Sequence, residues 1–323
     1  MSGNGSEPMR YGFGLFVILA VSVTARADDK AIELQSTDST VVMRVNAVET
    51  LRYVYRDPEV SRPYFAPVRT TSGLQVSRNH PPQEGQDKTD HLGLHTGIWL
   101  SFGDISGNDY WRLKARTEHV RFIAPPTVKN RIGSWSILNR YLSKDGQSTV
   151  CEETARYSVE LFPHGYLLRM TSKFQTEKNE AVFGDQEEMG LGIRVNTLIS
   201  VEKDLGGRLL DSEGRRNGAG IWGKTSDWCD YSGPLDGKWA GTSLFSSPTN
   251  FRPSWNHARD YGFLAVNPFG RAAFTKGEPS RIVVRPGEPL TLDFGVYVHE
   301  SAKEEDCDLP KVYQQYIITA SKP

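Results

Sequence analysis

The chain is short of several things, and each shortage excludes a class of protein. It has three cysteines in 323 residues. Cys151, Cys229 and Cys307 form no C-x-x-C pair, so neither a disulfide scaffold nor a zinc ribbon is available; one bridge with a free thiol is the most they allow. Basic and acidic side chains nearly balance, 38 against 39. A nucleic-acid partner would require a basic stripe, and an anionic lipid surface would require a basic cluster. No apolar run after Thr24 is long enough to span a bilayer. G-x-G-x-x-G, Walker, H-E-x-x-H and G-x-S-x-G patterns are all missing. His91 and His95 have zincin spacing, but Leu92 stands where the catalytic glutamate would be.

The N-terminus does carry a signal. Arg10 precedes a mostly apolar stretch from Tyr11 to Thr24, and Ala25-Arg26-Ala27 fits small-x-small cleavage. A signal peptide over 1–27 is expected, with an exported, periplasmic or extracellular mature protein starting at Asp28. Its 296 residues would hold 36 basic and 38 acidic side chains.

Period-two alternation dominates this mature chain. Leu290, Leu292, Phe294, Val296 and Val298 alternate with Thr291, Asp293, Tyr297 and His299; Tyr166 to Phe174 and Val41 to Val45 do likewise. Strand-like runs also cover 111–124, 133–141, 147–161, 191–201, 239–246, 262–266 and 280–285. Turn residues punctuate them at Lys144-Asp145-Gly146, Pro163-His164-Gly165, Gly206-Gly207 and Arg285-Pro286-Gly287. One helix is expected, at the C-terminus, with Asp308 as cap, Pro310 in its first turn and Val312, Tyr313, Tyr316 and Ile317 as its apolar stripe. Without helices between strands a parallel sheet is disfavoured. The expected fold is all-β, a single large antiparallel sandwich over 28–323 with a short C-terminal helix. Residues 202–238 read as long loops, ordered by Trp222, Trp228, Tyr231 and Trp239.

Four segments concentrate chemistry. The first, Asp90 to Asp104, holds His91 and His95 four residues apart and therefore on one face, with Trp99 downstream as an aromatic wall. The second, Asp185 to Arg194, has Glu187 and Glu188 leading into a strand, where alternation would point them to opposite faces. The third is Trp228-Cys229-Asp230-Tyr231-Ser232-Gly233. The fourth, Asn250 to Gly270, brings Trp255, His257, Arg259, Asp260 and Tyr261 within seven residues, a mixture costly to bury and suited to a ligand-facing loop.

From these, His91, His95, His257, Glu187 and Glu188 are the candidate acid–base groups. Arg194 and Arg259 would hold an anionic or carbonyl oxygen. Trp228, Trp255 and Tyr261 would stack on a ring, while Trp99, Asp104, Asp230, Tyr231 and Asn267 complete the substrate contacts. Flat apolar faces with polar edges suit a sugar. A secreted carbohydrate-active enzyme, such as an epimerase, hydrolase or lyase, is the first expectation, and a carbohydrate or other polar small molecule the expected partner. A non-catalytic glycan-binding module is the second. The third is a metal oxygenase with His91, His95 and His257 as copper ligands; no cofactor is otherwise expected, a divalent metal being the exception.

In this order the segments resemble the PmoA-like family of exported bacterial proteins, from about Arg62 to His299. The matching elements are Asp90 to Asp104 with its G-x-W and Gly-Asp, Gly184 to Arg194, Asp230 to Gly233, and Trp255 to Gly270 with its closing N-P-F-G. Family members often carry histidines where this chain has Leu92, Gly93, Leu94 and Thr96. The family name suggests a methane monooxygenase subunit, a multi-span membrane protein, which a chain without spanning segments does not match. The resemblance implies a galactose-mutarotase-type supersandwich, a fold that binds sugars on an open sheet face and uses a histidine with a carboxylate.

Overall fold

The computed structural model describes residues 1–3 and 31–320, so the expected signal peptide lies outside the described residues. All strands belong to the unit that begins at Ala31. Five come early: β1 (Ile32–Ser36), β2 (Thr40–Val45), β3 (Val48–Val54), β4 (Tyr64–Val68) and β5 (Ile98–Phe102). Long strands follow as β6 (Thr117–Lys129), β7 (Ile132–Leu142), β8 (Thr149–Phe162) and β9 (Gly165–Gln175), then the short β10 (Ala181–Phe183). The second half supplies β11 (Met189–Arg194), β12 (Arg208–Asp211), β13 (Trp228–Leu235), β14 (Lys238–Ser246), β15 (Trp255–Arg259), β16 (Phe263–Asn267), β17 (Ile282–Val284) and β18 (Leu290–Ser301). Two short helices, α1 (Asn217–Ile221) and α2 (Arg271–Thr275), precede the terminal α3 (Leu309–Ala320).

Two eight-stranded antiparallel sheets result. The first runs β1-β2-β3-β4-β5-β11-β16-β15 and the second β12-β13-β14-β18-β9-β8-β7-β6, with β10 and β17 a separate pair. The alternation read from the sequence is what sorts side chains between faces. Leu292, Phe294, Val296 and Val298 of β18 enter the main core with Ile98, Leu191, Ile193, Leu264 and Val266 from the first sheet. The large antiparallel sandwich is therefore the fold. Helix α3 covers the outer face of the second sheet, where Val312, Tyr313 and Tyr316 pack on Leu167, Phe245 and Tyr297. Asp308 caps it by accepting from the Lys311 N–H at 3.1 Å. Among the described residues no helix is long and apolar enough to cross a membrane.

Three local expectations need correction. Residues 202–238 are not all loop: β12, α1 and β13 lie there, and β13 pairs on both sides. Its pattern is hidden because Asp230 and Ser232, on the side away from the core, are polar yet fully buried. Residues 111–116 turn rather than extend, and strand begins at Thr117. The 250–262 segment is not a loop throughout, since β15 pairs with β16 as a hairpin.

The outer face of the first sheet carries its own apolar cluster, Trp99, Trp111, Phe263 and Ala265 with Val60, Tyr64 and Ala66. Trp99 can lie flat there because β11 presents glycine beside it. A Cβ on Gly192 would meet the Trp99 ring at 2.9 Å. Above this cluster the long β4–β5 connection is pinned by buried arginines. Arg78 and Arg194 are both 1% exposed, and both approach Oδ1 of Asp90, at 2.9 and 2.5 Å. Arg78 also donates to the carbonyl oxygens of Lys88 (2.7 Å), Asp90 (2.8 Å) and His95 (3.0 Å). Arg62 donates to the Trp111 carbonyl at 2.9 Å and to that of Leu94. Burial would raise the Asp90 carboxyl, but Arg194 and His91 hold it below its ordinary value.

Two outcomes follow from this packing. Gly192→Ala should lower stability by about 1–3 kcal/mol, since a buried tryptophan must move to admit one methyl; urea unfolding measures it. Asp90→Asn leaves two buried guanidinium groups facing each other without a counter-charge. A loss of about 3 kcal/mol in the same assay is expected, and an unchanged midpoint would contradict the clamp.

Candidate functional site

A pocket of about 380 Å³ opens over the outer face of the first sheet, where β5, β11, β15 and β16 meet. One wall is a stack of rings. The His91 and His95 imidazoles are stacked, 4.3 Å between centroids and 2° from parallel. His95 continues onto Phe263 at 4.7 Å and Trp99 at 5.2 Å, and His91 onto Tyr261 at 5.9 Å. The second wall is charged: Glu187, Glu188, Arg112, Arg259 and His257.

Hydrogen bonding fixes the state of two of the imidazoles, His95 and His257. His95 Nδ1 accepts from Arg194 Nη1 at 3.3 Å, which leaves Nε2 as the N–H available to the pocket. Burial, then His91 and Arg194, hold this ring well below its usual range, so it is neutral. His257 is 4% exposed and its Nδ1 lies 3.2 Å from the Glu187 carbonyl oxygen, a bond only an N–H can make. Its Nε2 accepts from Arg259 Nε at 3.2 Å. Burial and Arg259 together push His257 down to about 3. Both rings are thus uncharged at neutral pH, and the lone pair of His257 is already engaged.

The carboxylates behave differently from one another. Glu187 Oε2 lies 3.2 Å from Arg259 Nη2 and 3.5 Å from His257 Nε2. Burial raises its pKa, Arg259 opposes that, and Glu188 adds to it. Glu188 is paired with Arg112 Nη2 at 2.6 Å, and Arg112 is anchored by Asp109 at 3.1 Å. The two were expected to point to opposite faces. Both line the pocket instead, because β11 starts at Met189 and strand alternation does not yet apply to them. Asn267 shapes this turn by donating to the carbonyls of Gln186 (2.7 Å) and Glu187 (3.1 Å).

Of the residues singled out in the sequence, His91, His95, Glu187, Glu188, His257, Arg259 and Tyr261 meet at the pocket. Trp99 and Arg194 are buried beneath it, and Arg194 lies 4.5 Å from the Tyr261 ring as a cation–π partner. Asp104 caps a turn, accepting from the Gly107 N–H at 2.8 Å. Trp255 stacks toward Phe274 outside the pocket. Trp228, Asp230 and Tyr231 lie in the second sheet, away from the site. There Asp230 pairs with His299 at 2.9 Å, and the Tyr231 hydroxyl donates to the Asp260 carbonyl at 2.8 Å. Their expected substrate contacts are corrected accordingly.

The expected metal triad is corrected too. Parallel stacked imidazoles direct their lone pairs along separate planes, so one ion cannot lie in line with both His91 and His95. Among the described residues no three His, Cys, Asp or Glu side chains are placed to hold a metal ion. All three cysteines are free thiols. The sequence reading missed Arg112, Trp111 and Phe263, which line the pocket, and Arg78, which clamps its floor. Asp109-Tyr110-Trp111-Arg112 has the same charged-aromatic density as 255–261, but Trp111 and Arg112 also open the strand-like run 111–124, which masks it.

Comparison with known proteins gives a family and a set of distantly similar solved structures. No curated protein matches. Among solved structures the chain is similar to a galactose mutarotase-like protein of Lactobacillus casei ATCC 334, at 12% identity over 83% of this chain and 100% of that one, TM-score 0.40. A galactose mutarotase related enzyme of Lactobacillus acidophilus matches at 8% identity over 84% and 98%, TM-score 0.32. The Slr1438 protein of Synechocystis sp. PCC 6803 matches at 14% identity over 84% and 95%, TM-score 0.32. The resemblance to the PmoA-like family does not hold, because the family model that matches is a different one, spanning residues 40–311. By that match the chain belongs to the Family of unknown function (DUF6807).

Proposed function

We propose that this pocket binds a sugar or sugar-derived ring and acts on it by carboxyl–imidazole acid–base chemistry, in a protein exported by its N-terminal segment. The observation that carries the reading is Glu187. It is a pocket carboxyl raised by burial and hydrogen-bonded to Arg259, and it faces a wall of stacked rings. Burial that raises a carboxyl favours its protonated form, the direction a general acid needs. The His95 N–H is a neutral donor suited to a hydroxyl or ring oxygen. Tyr261 and the stacked imidazoles offer the flat surface that sugar CH faces pack on. Glu188, ion-paired with Arg112, borders the same wall. His257, with both nitrogens engaged, positions Glu187 and Arg259 rather than exchanging protons itself.

The test is a screen of neutral and oxidised glycosides with mass detection, with and without chelator. Glu187→Gln should reduce turnover by about 10²–10⁴-fold with the fold unchanged. Saturable binding with no product from the wild-type protein would turn the reading into one of a glycan-binding module.

The neutral His257 also sets a pH dependence. In the unfolded chain it takes up a proton below about 6.5, whereas in the folded chain it resists until about 3. Lowering pH through that window therefore favours unfolding. Denaturant midpoints should fall as pH drops from 6.5 toward 3, and His257→Gln should flatten that slope.

A further inference from the structure

A second cavity, of about 630 Å³, lies between the segment after β3 and the start of β6, and the proposed reaction does not use it. Its lining is unusually basic: Arg56, Arg62, Arg116 and Arg140 against Asp57 and Glu118. The negative groups are largely occupied. Asp57 accepts from the Tyr64 hydroxyl at 2.6 Å and from two backbone N–H groups at 2.8 and 2.9 Å. Glu118 lies 3.9 Å from Arg140, beyond hydrogen-bond reach, and Arg140 is 3.7 Å from Glu152. The Arg116 guanidinium, exposed at the rim, has no hydrogen bond or ion pair among the described residues, although the Arg116 carbonyl accepts from the Leu142 N–H.

At the base sits His119, 7% exposed, its ring packed 4.3 Å from Tyr55 and 5.2 Å from Phe122. Its buried Nδ1 has no hydrogen-bond partner, and the buried Nε of Arg62 also lacks one. Buried polar groups are nearly always satisfied, so an unpartnered imidazole nitrogen beside loosely held guanidinium groups marks a place for an acceptor-rich ligand.

We propose that this cavity is a second binding site, selective for a small oxyanion: a free sulfate-type anion or the carboxylate of a sugar acid. Arg116 and Arg140 hold the charge, Arg56 borders it, and the Tyr55 and His119 rings form the apolar side. The site is linked to the candidate active site through Arg62, whose guanidinium bonds the carbonyls of Leu94 and Trp111, both lining residues there.

Calorimetric titration of the full-length protein with sodium sulfate, glucuronate and glucose tests this, with the His119 ring resonances followed by NMR as a local readout. Saturable sulfate or glucuronate binding that shifts the His119 signals is expected. Arg116→Gln and Arg140→Gln should each weaken it about tenfold, the effect of losing one hydrogen bond to a charged group, with melting temperatures unchanged. Glucuronate binding tighter than sulfate identifies a sugar acid, and the reverse identifies a free anion. The proposal is overturned by the absence of saturable anion binding, by variants that bind as the wild type does, or by glucose binding as tightly as glucuronate. Glu187→Gln should leave the anion titration unaltered, so failure here and failure of the acid–base reading are separable.

Discussion

Everything at the candidate site rests on one carboxylate between two buried guanidinium groups. Asp90 lies within ion-pair distance of both Arg78 and Arg194. Two like charges in a protein interior are tolerable only with a counter-charge between them and with their remaining N–H groups satisfied. Arg78 meets the second condition by gathering three backbone carbonyls of the 88–95 segment. The ion cluster therefore does mechanical work, converting a long connection without strand structure into a fixed wall. His91 and His95 stand on that wall, and their parallel stacking is a consequence of where the clamp holds their backbone.

The same cluster contributes to the electrostatics above it. Burial keeps the His95 and His257 rings neutral, with His91 and Arg194 adding to it at His95 and Arg259 at His257. Glu187 is raised by burial while Glu188 remains paired to Arg112. Two adjacent carboxyl groups thus sit in different environments on one wall of the pocket, and the proposed acid–base reading rests on that difference. The glycine face of β11 contributes indirectly. With no side chain at 192, Trp99 lies against the sheet and supports the stack from below.

The second sheet shows how equivalent chemistry becomes structural when it is sealed. Asp230 and His299 form a fully buried pair with Ser232 and Ser243 bonded to the same carboxylate, at 2.5 and 2.7 Å. Burial would lower the His299 pKa, but Asp230 raises it to about 10. An imidazolium–carboxylate pair buried in this way cross-links β13 and β18.

The sequence by itself determined the sheet-rich fold, the turns between long strands and the terminal helix, because alternation and capping are local and survive without context. It also singled out most of the pocket: histidines, carboxylates, Arg259 and Tyr261 stood out because charged and aromatic residues are seldom packed together without a site or a clamp. Only the tertiary structure decided which of these dense segments converge. Asp230 and Tyr231 read like pocket residues, yet belong to a buried strand, since strand pairing and sheet sidedness depend on partners distant in the chain. Arg78 and Arg194, 116 positions apart, become one device only when Asp90 is folded between them. Ion pairs of that kind leave no periodic trace along a sequence, so their role emerges from packing alone.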